Sequence, residues 1–447
     1  MGGVFSDSLS LGVWMVLPIT VSVVALIFAE SRKKAITSGL FIAAGLAGGY
    51  VIVQWLVRFI LPPLGRGGQL LFHSHIVALD IGWPFSAILA FGTVIGVLAF
   101  PVGLATNAIM LITRVTRTLD IDLWNFWHIA FVGLIVTLVT GSILEGLIAE
   151  SGVMAITLFL ADISQPVVRK YFGYDALSFP ALVSLPYFVL AVILKQFFST
   201  QTFFSDSSLP LKTFIEKRIQ AFSSENFVVI GFIATIVVGV IGGIGIEQSV
   251  FIGIAGASTI IILPRVVALV VEGMHPVVDA LSPLMQKHVG QHKLHMGMDS
   301  ALLVGDPVNI MASSLLVPVT FLLAIILPGN HTFPLFDIPT IPFIIALMVP
   351  VFDGNLFYTV IGGIVAMVPT LYISTAMAPI YTVATKLAGV HLPGDGVMLT
   401  SLVDGGNPIV WVIKELAQLR VVGFVIALGV ILVFLGVIRE RLTINES

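Results

Sequence analysis

The sequence predicts an all-α polytopic membrane protein, an inverted repeat of about five spans per half with two re-entrant hairpins. Composition gives the first reason: 57% of the 447 residues are hydrophobic and 10% are charged, where soluble domains carry about 25% charged residues. The second is continuity. The apolar runs are long and Gly-rich, whereas barrel strands alternate apolar and polar over about 10 residues. The third is spacing. From Asp80 to Asp306 the numbering advances by 226, from His128 to Asn355 by 227, and from Ser178 to Asp404 by 226. The first half would begin outside and end inside, crossing an odd number of times, so the second copy must be inverted. Inverted repeats with broken helices meeting near the midplane mark secondary-transporter architecture.

The first span, about Leu11 to Ala29, has only Asp7 charged ahead of it and Arg32-Lys33-Lys34 behind. A cleaved signal peptide carries its positive charge first. The positive-inside rule places the N-terminus outside and Arg32 to Lys34 in the cytoplasm. A second span, about Ala35 to Leu61, ends at Pro62-Pro63 and a Gly-rich outer loop with Arg66, His73 and His75. Asp80-Ile81-Gly82-Trp83-Pro84 would break a helix inside apolar surroundings. A third span runs from about Ala87 to Ile112, and Trp124-Asn125-Phe126-Trp127-His128 opens a fourth to about Ala149.

From Val153 to Leu194 polar residues interrupt the pattern, which reads as a hairpin near 153–181 within a first repeat of residues 1–198. Irregular backbone at membrane depth survives only where protein or a wet cavity covers it. Residues 199–226 read as a cytoplasmic amphipathic linker, with Leu211, Phe214, Ile215, Ile219 and Phe222 at helical spacing. The second repeat, 227–447, has two spans (Phe227 to Ile246, Val250 to Val271), a polar loop to Met298, and a span following Gly305-Asp306-Pro307. The loop Pro328 to Thr340 has no Lys or Arg and should lie outside. Asp353-Gly354-Asn355 precedes the apolar run Tyr358 to Met377. A second hairpin falls near 380–408, and a last span, Val421 to Val437, ends at Arg439-Glu440-Arg441 on the inside.

Polar groups at membrane depth are costly and face a cavity or pathway. The candidate binding residues are Asp80, Gly82, Trp83, Trp124, His128, Ser178, Asp306, Asp353, Asn355, Asp404 and Asn407. Carboxylates and amides match the hydroxyls of a polyol, and an aromatic face covers its carbon chain. A carboxylate beside a reacting hydroxyl can act as its base, with Asp306 first choice and Asp404 second. Asp80 and Asp404 equally suit helix caps, and His128 equally suits packing at the start of a span. The tryptophans also suit interface anchors, as Trp14, Trp55 and Trp411 do best. His288, His292 and His295 have ligand-like spacing but read as ordinary loop histidines, so no metal is expected. Gly242-Gly243-x-Gly245 suits close helix packing. A net charge of −3 argues against nucleic acid, and the chain has no Cys.

Leu79-Asp80-Ile81-Gly82-Trp83-Pro84 and Asp120-Ile121-Asp122-Leu123-Trp124-Asn125-Phe126-Trp127-His128 resemble motifs of the galactitol-type IIC subunits of the bacterial phosphotransferase system. So do the Asn107 to Arg117 stretch, Pro328-Gly329-Asn330, Gly354-Asn355-Leu356-Phe357 and the segment Asp404 to Trp411. The resemblance implies an elevator-type homodimer in the bacterial cytoplasmic (inner) membrane. Such a subunit is no enzyme by itself. It takes up galactitol or a related polyol or sugar and presents it to a separate IIB protein carrying a phosphocysteine, fed by IIA. The Cys-free chain fits, since it cannot carry the phosphoryl group itself. No cofactor is implied. The sequence departs from the family at Ser178-Phe179-Pro180, at Asp306 and at Asp353, where charge and donor pattern differ. An ion-coupled secondary transporter without phosphorylation is the alternative, and an intramembrane enzyme using the aspartates a second.

Overall fold

The computed structural model describes residues 31–73, 77–120, 122–199, 224–289, 294–390 and 396–419, with isolated positions between 18 and 26 and Leu392. Seven of its helices are long and apolar enough to cross a membrane, and the chain is a multi-pass membrane protein. The last expected span and His292 lie outside the described residues, as do most of the first expected span and of the linker.

The first half contains α1 (Arg32–Phe59), α2 (Leu61–Phe72), β1 (Val77–Asp80), α3 (Trp83–Phe91), α4 (Val94–Ile112), β2 (Thr118–Asp120), α5 (Leu123–Thr140), α6 (Ile143–Phe172), β3 (Leu177–Ser178) and α7 (Leu185–Ser199). The second contains α8 (Ser224–Ile241), α9 (Ile246–Val289), β4 (His295–Gly297), α10 (Pro307–Ile326), β5 (Thr332–Phe333), the short α11 (Ile341–Ile345) and α12 (Met348–Val351), α13 (Leu356–Leu387), β6 (Val397–Thr400) and α14 (Pro408–Ala417).

Several expected elements differ. The Gly-rich outer loop is helix α2. Its two prolines sit in the first turn, where no N–H is needed. Its glycines serve contact, since a Cβ at Gly67 would strike the Val238 carbonyl of α8. The third and fourth expected spans each break into two helices, at Gly92-Thr93 and at Gly141-Ser142, where the Thr93 and Ser142 side chains cap the helices that follow. The stretch from Val153 is unbroken as far as Phe172. Its polar residues are answered from outside the helix: Asp162 accepts from the Thr116 and Thr118 hydroxyls and the Arg117 N–H, and Gln165 donates to the carbonyls of Tyr174 and Asp175. Likewise α13 runs past Met377 to Leu387. The 226–227 spacing joins unlike places. Asp80 ends a strand while Asp306 caps a helix, and His128 lies within a helix while Asn355 caps one.

Among the described residues six short strands form two parallel three-stranded sheets, in the orders β5-β1-β6 and β2-β4-β3. Each sheet takes its middle strand from one half of the chain and both edges from the other. The registers match as well. Ala78 faces Thr332 and Asp80 faces Thr400, while His295 faces Thr118 and Gly297 faces Ser178. The loops that follow β3 and β6 meet where Asn407 Nδ2 donates to the Leu182 carbonyl at 3.0 Å.

Candidate functional site

The carboxyl-terminal end of β1 carries Asp80, which is buried. Its Oδ1 accepts the Gly82 N–H at 3.0 Å, and its Oδ2 accepts those of Leu335 and Asp337 at 3.0 and 2.7 Å. The turn needs Gly82, whose φ is 86°, a backbone region costly for residues with a Cβ. Asp337 is also buried and answers in return. It accepts the Trp83 N–H at 2.6 Å on Oδ1, and the Ser401 hydroxyl and Val403 N–H at 2.6 and 3.2 Å on Oδ2. The start of α3, the loop after β5 and the loop after β6 are thereby fastened together. Ser401 Oγ accepts the Asp404 N–H at 3.3 Å.

Asp404 makes a further contact between the two halves. Its Oδ1 lies 2.9 Å from His128 Nδ1, with both side chains almost wholly buried, at 0% and 2% exposure. Asp404 Oδ2 is buried without a well-formed hydrogen bond, and the Ser86 hydroxyl beside it is engaged with Tyr381 at 2.8 Å. Aromatic rings adjoin the pair. Trp127 packs against His128, and Trp83 lies 5.4 Å from Trp127 and 5.7 Å from Trp124, ring centre to ring centre. Trp83 and Trp124 are half-buried, Trp127 buried. The structure thus brings Asp80, Gly82, Trp83, Trp124, His128 and Asp404 together. Asn407 caps α14 from the same loop through the N–H groups of Ile409 and Val410.

The remaining expected residues fall into two other groups. Ser178 sits in the second sheet, 2.9 Å from the Thr118 hydroxyl. Beside it, Asp120 accepts from Asn125 Nδ2 at 3.1 Å, and Asp122 from the Asp299 N–H at 2.8 Å. Burial pushes Asp299 up to about 6; the Asp122 charge acts the same way and the Ala301 N–H opposes both. Asp306 caps α10 through the N–H groups of Val308 and Asn309, and its Oδ2 is 3.4 Å from Tyr171 Oη. Asp353, at φ 51°, lies 2.6 Å from Lys195 Nζ and 3.4 Å from Lys170 Nζ. Partial burial works against its ionisation, yet the two ammonium groups hold its carboxyl below the usual value. Asn355 caps α13 through the Tyr358 N–H at 3.1 Å.

The sequence matches the family described as the PTS system sugar-specific permease component, EIIC-GAT, over residues 9–395. The chain belongs to this family. It is a IIC transport subunit of a phosphotransferase system. It is similar to a putative permease IIC component of Escherichia coli K12, 30% identical over 98% of this chain and 99% of that protein. It is also similar to the galactitol-specific EIIC component of the same strain, 28% identical over 94% of this chain and 92% of that protein.

Sequence reasoning missed Asp337, Ser401, Ser86 and Tyr381 in this IIC subunit. The signal for Asp337 was an acid in an otherwise apolar loop, Phe333-Pro334-Leu335-Phe336-Asp337-Ile338-Pro339. The three hydroxyls carried none, since the chain has many like them. Among the described residues no group of three or more His, Asp or Glu could hold a metal ion.

Proposed function

We propose that this IIC subunit binds galactitol or a closely related polyol or sugar between the tryptophans and the buried Asp404–His128 pair. The 2.9 Å contact between these two side chains, one from each half, carries the reading. A polyol offers a row of hydroxyls that both donate and accept. Asp404 supplies acceptors in a place sealed from water, and Trp83 and Trp124 supply an apolar face for the carbon chain. The galactitol-specific relative supports the substrate class.

The pair also suits the chemistry that follows. The substrate hydroxyl oxygen attacks the phosphorus of a phosphocysteine on a separate IIB protein, itself supplied by IIA. The P–S bond breaks with its electrons going to the thiolate, and the hydroxyl proton passes to His128. Asp404 at Nδ1 orients the ring and steadies its charged form, the part a carboxylate plays beside a catalytic imidazole. In this reading Asp306 is a helix cap that does not reach the reacting hydroxyl, and Asp353 and Asn355 belong to the same outlying group. The subunit is not an enzyme alone.

The architecture we propose is an inverted repeat that moves as an elevator, in a homodimer. What supports the repeat is the exchange of strands between sheets and a second spacing. From the helix cap Thr93 to the helix cap Asp306 the numbering advances by 213, and it does so again from Ser142 to Asn355. Asp162, bonded to the loop 116–118, has its counterpart at that same interval in Thr375, bonded to Asn330, His331 and Thr332. The hairpins become 173–199 and 388–417, with tips that meet at Leu182 and Asn407. Arg32 to Lys34, Arg114, Arg117, Arg169 and Lys170 face the cytoplasm of a bacterial inner membrane.

A thermal-shift screen of polyols and sugars on the purified protein tests the site, because a ligand at 100 times its Kd adds about 2.7 kcal/mol. Galactitol-like polyols should raise the melting temperature of the wild type and leave Asp404→Asn unmoved. An equal shift in both would remove the site. Uptake that persists without IIB would remove the phosphorylation reading in favour of ion-coupled transport.

A further inference from the structure

Helices α5 and α6 pack antiparallel across the turn at Gly141-Ser142, and their seam is closed by two glycines. The Glu150 carboxyl lies over Gly133, and the Thr137 hydroxyl lies over Gly146, so that a Cβ at either glycine would collide with it. Glu150 has no exposed surface. Both of its carboxyl oxygens are buried with no hydrogen-bond partner, and the Thr137 hydroxyl, one helical turn along the seam, is in the same condition. Three unanswered polar atoms at one place in an apolar seam are unusual, because buried polar atoms nearly always find partners.

An ionised carboxylate could not stay there. Among the described residues no cation pairs with it, and an isolated buried charge takes up a proton instead. The elements packed against α6 carry few titratable groups: His128 on α5, Asp120 on β2, Tyr187 and Lys195 on α7, and none on α4, β3 or α12. On α6 itself stand Glu145, Asp162, Arg169, Lys170 and Tyr171. None of them hydrogen-bonds to Glu150. Asp162 and Tyr171 are bonded elsewhere, Asp120 and His128 likewise.

We propose that Glu150 is a proton-binding site, which holds its proton as a neutral carboxylic acid in the α5–α6 seam, with a water bridging it to Thr137. The polar atoms suit one water, which needs two to four partners. The proton is what lets the seam close. Loss of it leaves a charge that only solvent can satisfy, so the seam must open, and α5 carries His128 a turn and a half away along the same helix. The proposal concerns the seam alone and stands whatever the substrate.

Infrared difference spectra of the full chain in detergent, wild type against Glu150→Gln at neutral pH, test it. The expected result is the carbonyl stretch of a neutral carboxylic acid, sensitive to deuterium exchange. A carboxylate signature would overturn the assignment. Melting in the same two proteins gives a second reading without any ligand. From the ordinary glutamate pKa of about 4.3 upward, until the folded carboxyl itself ionises, the folded wild type holds one proton more than the unfolded chain, so its stability falls as pH rises. Glu150→Gln should melt closest to the wild type at about pH 4 and progressively above it as pH rises through neutral; parallel curves across the whole range would overturn the proposal. Glu150→Met, of similar length and apolar, should also fold. Failure of both variants to fold would show that the charge is required and overturn the proposal equally.

Discussion

Asp337 is the residue on which the site's framework depends most directly. It receives two backbone N–H groups and one hydroxyl from two other segments, and it is buried. Asp337→Ala would strand all three donors, each at about 1–3 kcal/mol. The melting temperature of the purified protein should fall steeply, by the equivalent of about 3 kcal/mol or more, and Asp337→Asn should fall between it and the wild type. An alanine variant that melts with the wild type would show that the bonds are not formed. Of the residues gathered at the candidate site, those with an unmistakable sequence signature were legible. Asp80, Trp83, His128 and Asp404 each stand out as polar or aromatic groups in apolar runs, and Gly82 as the break between them. Their pairing was not legible, because the His128–Asp404 contact joins positions 276 residues apart, and no local pattern encodes such a distance.

At the scale of elements, most helices were legible and their breaks were not. Hydropathy is continuous across Gly92-Thr93 and Gly141-Ser142, so the chain reads as one span where it makes two helices. The caps are the better signal, since Thr93, Ser142, Asp306 and Asn355 each accept backbone N–H groups of the first turn. The strands escaped notice because two to four residues cannot display a period of two. Asp162 and Gln165 looked like interruptions because their partners lie in other segments. One turn offers a direct test of packing. Gly354 has φ 72°, and a Cβ there would come within 2.6 Å of Tyr171 Oη. Gly354→Ala should cost about 1–2 kcal/mol from the backbone alone, read as a lower melting temperature. Pairing it with Tyr171→Phe, which removes the colliding oxygen, should recover part of the loss.

For the whole molecule, composition was enough to give a multi-pass helical membrane protein, and its motifs were enough to give the family. The 226–227 interval read from the sequence matches polar residues by type, which joins a strand end to a helix cap. Matching caps to caps gives the shorter interval that Thr93 to Asp306 and Ser142 to Asn355 share. The proposed orientation has a simple check. Lys33 and Lys34 should be shielded from an impermeant amine-reactive label in intact cells and become reactive in inverted vesicles; the opposite pattern would turn the molecule over.

The exchange of strands between the two sheets also sets an order of events during synthesis. Strand β1 ends at Asp80 and its neighbour β6 at Thr400, so most of the chain is made between the two. At about 5–20 residues per second, that wait is on the order of tens of seconds. Throughout it, β1 has an unpaired backbone on at least one edge within or beside the membrane, where bare N–H and C=O groups are expensive. Neither half can complete a sheet from its own strands, so a nascent first half is an unfinished object that must be sheltered, by the insertion machinery or at the membrane interface, until β6 arrives. Truncation ahead of β6 should therefore leave a chain that inserts but is rapidly degraded.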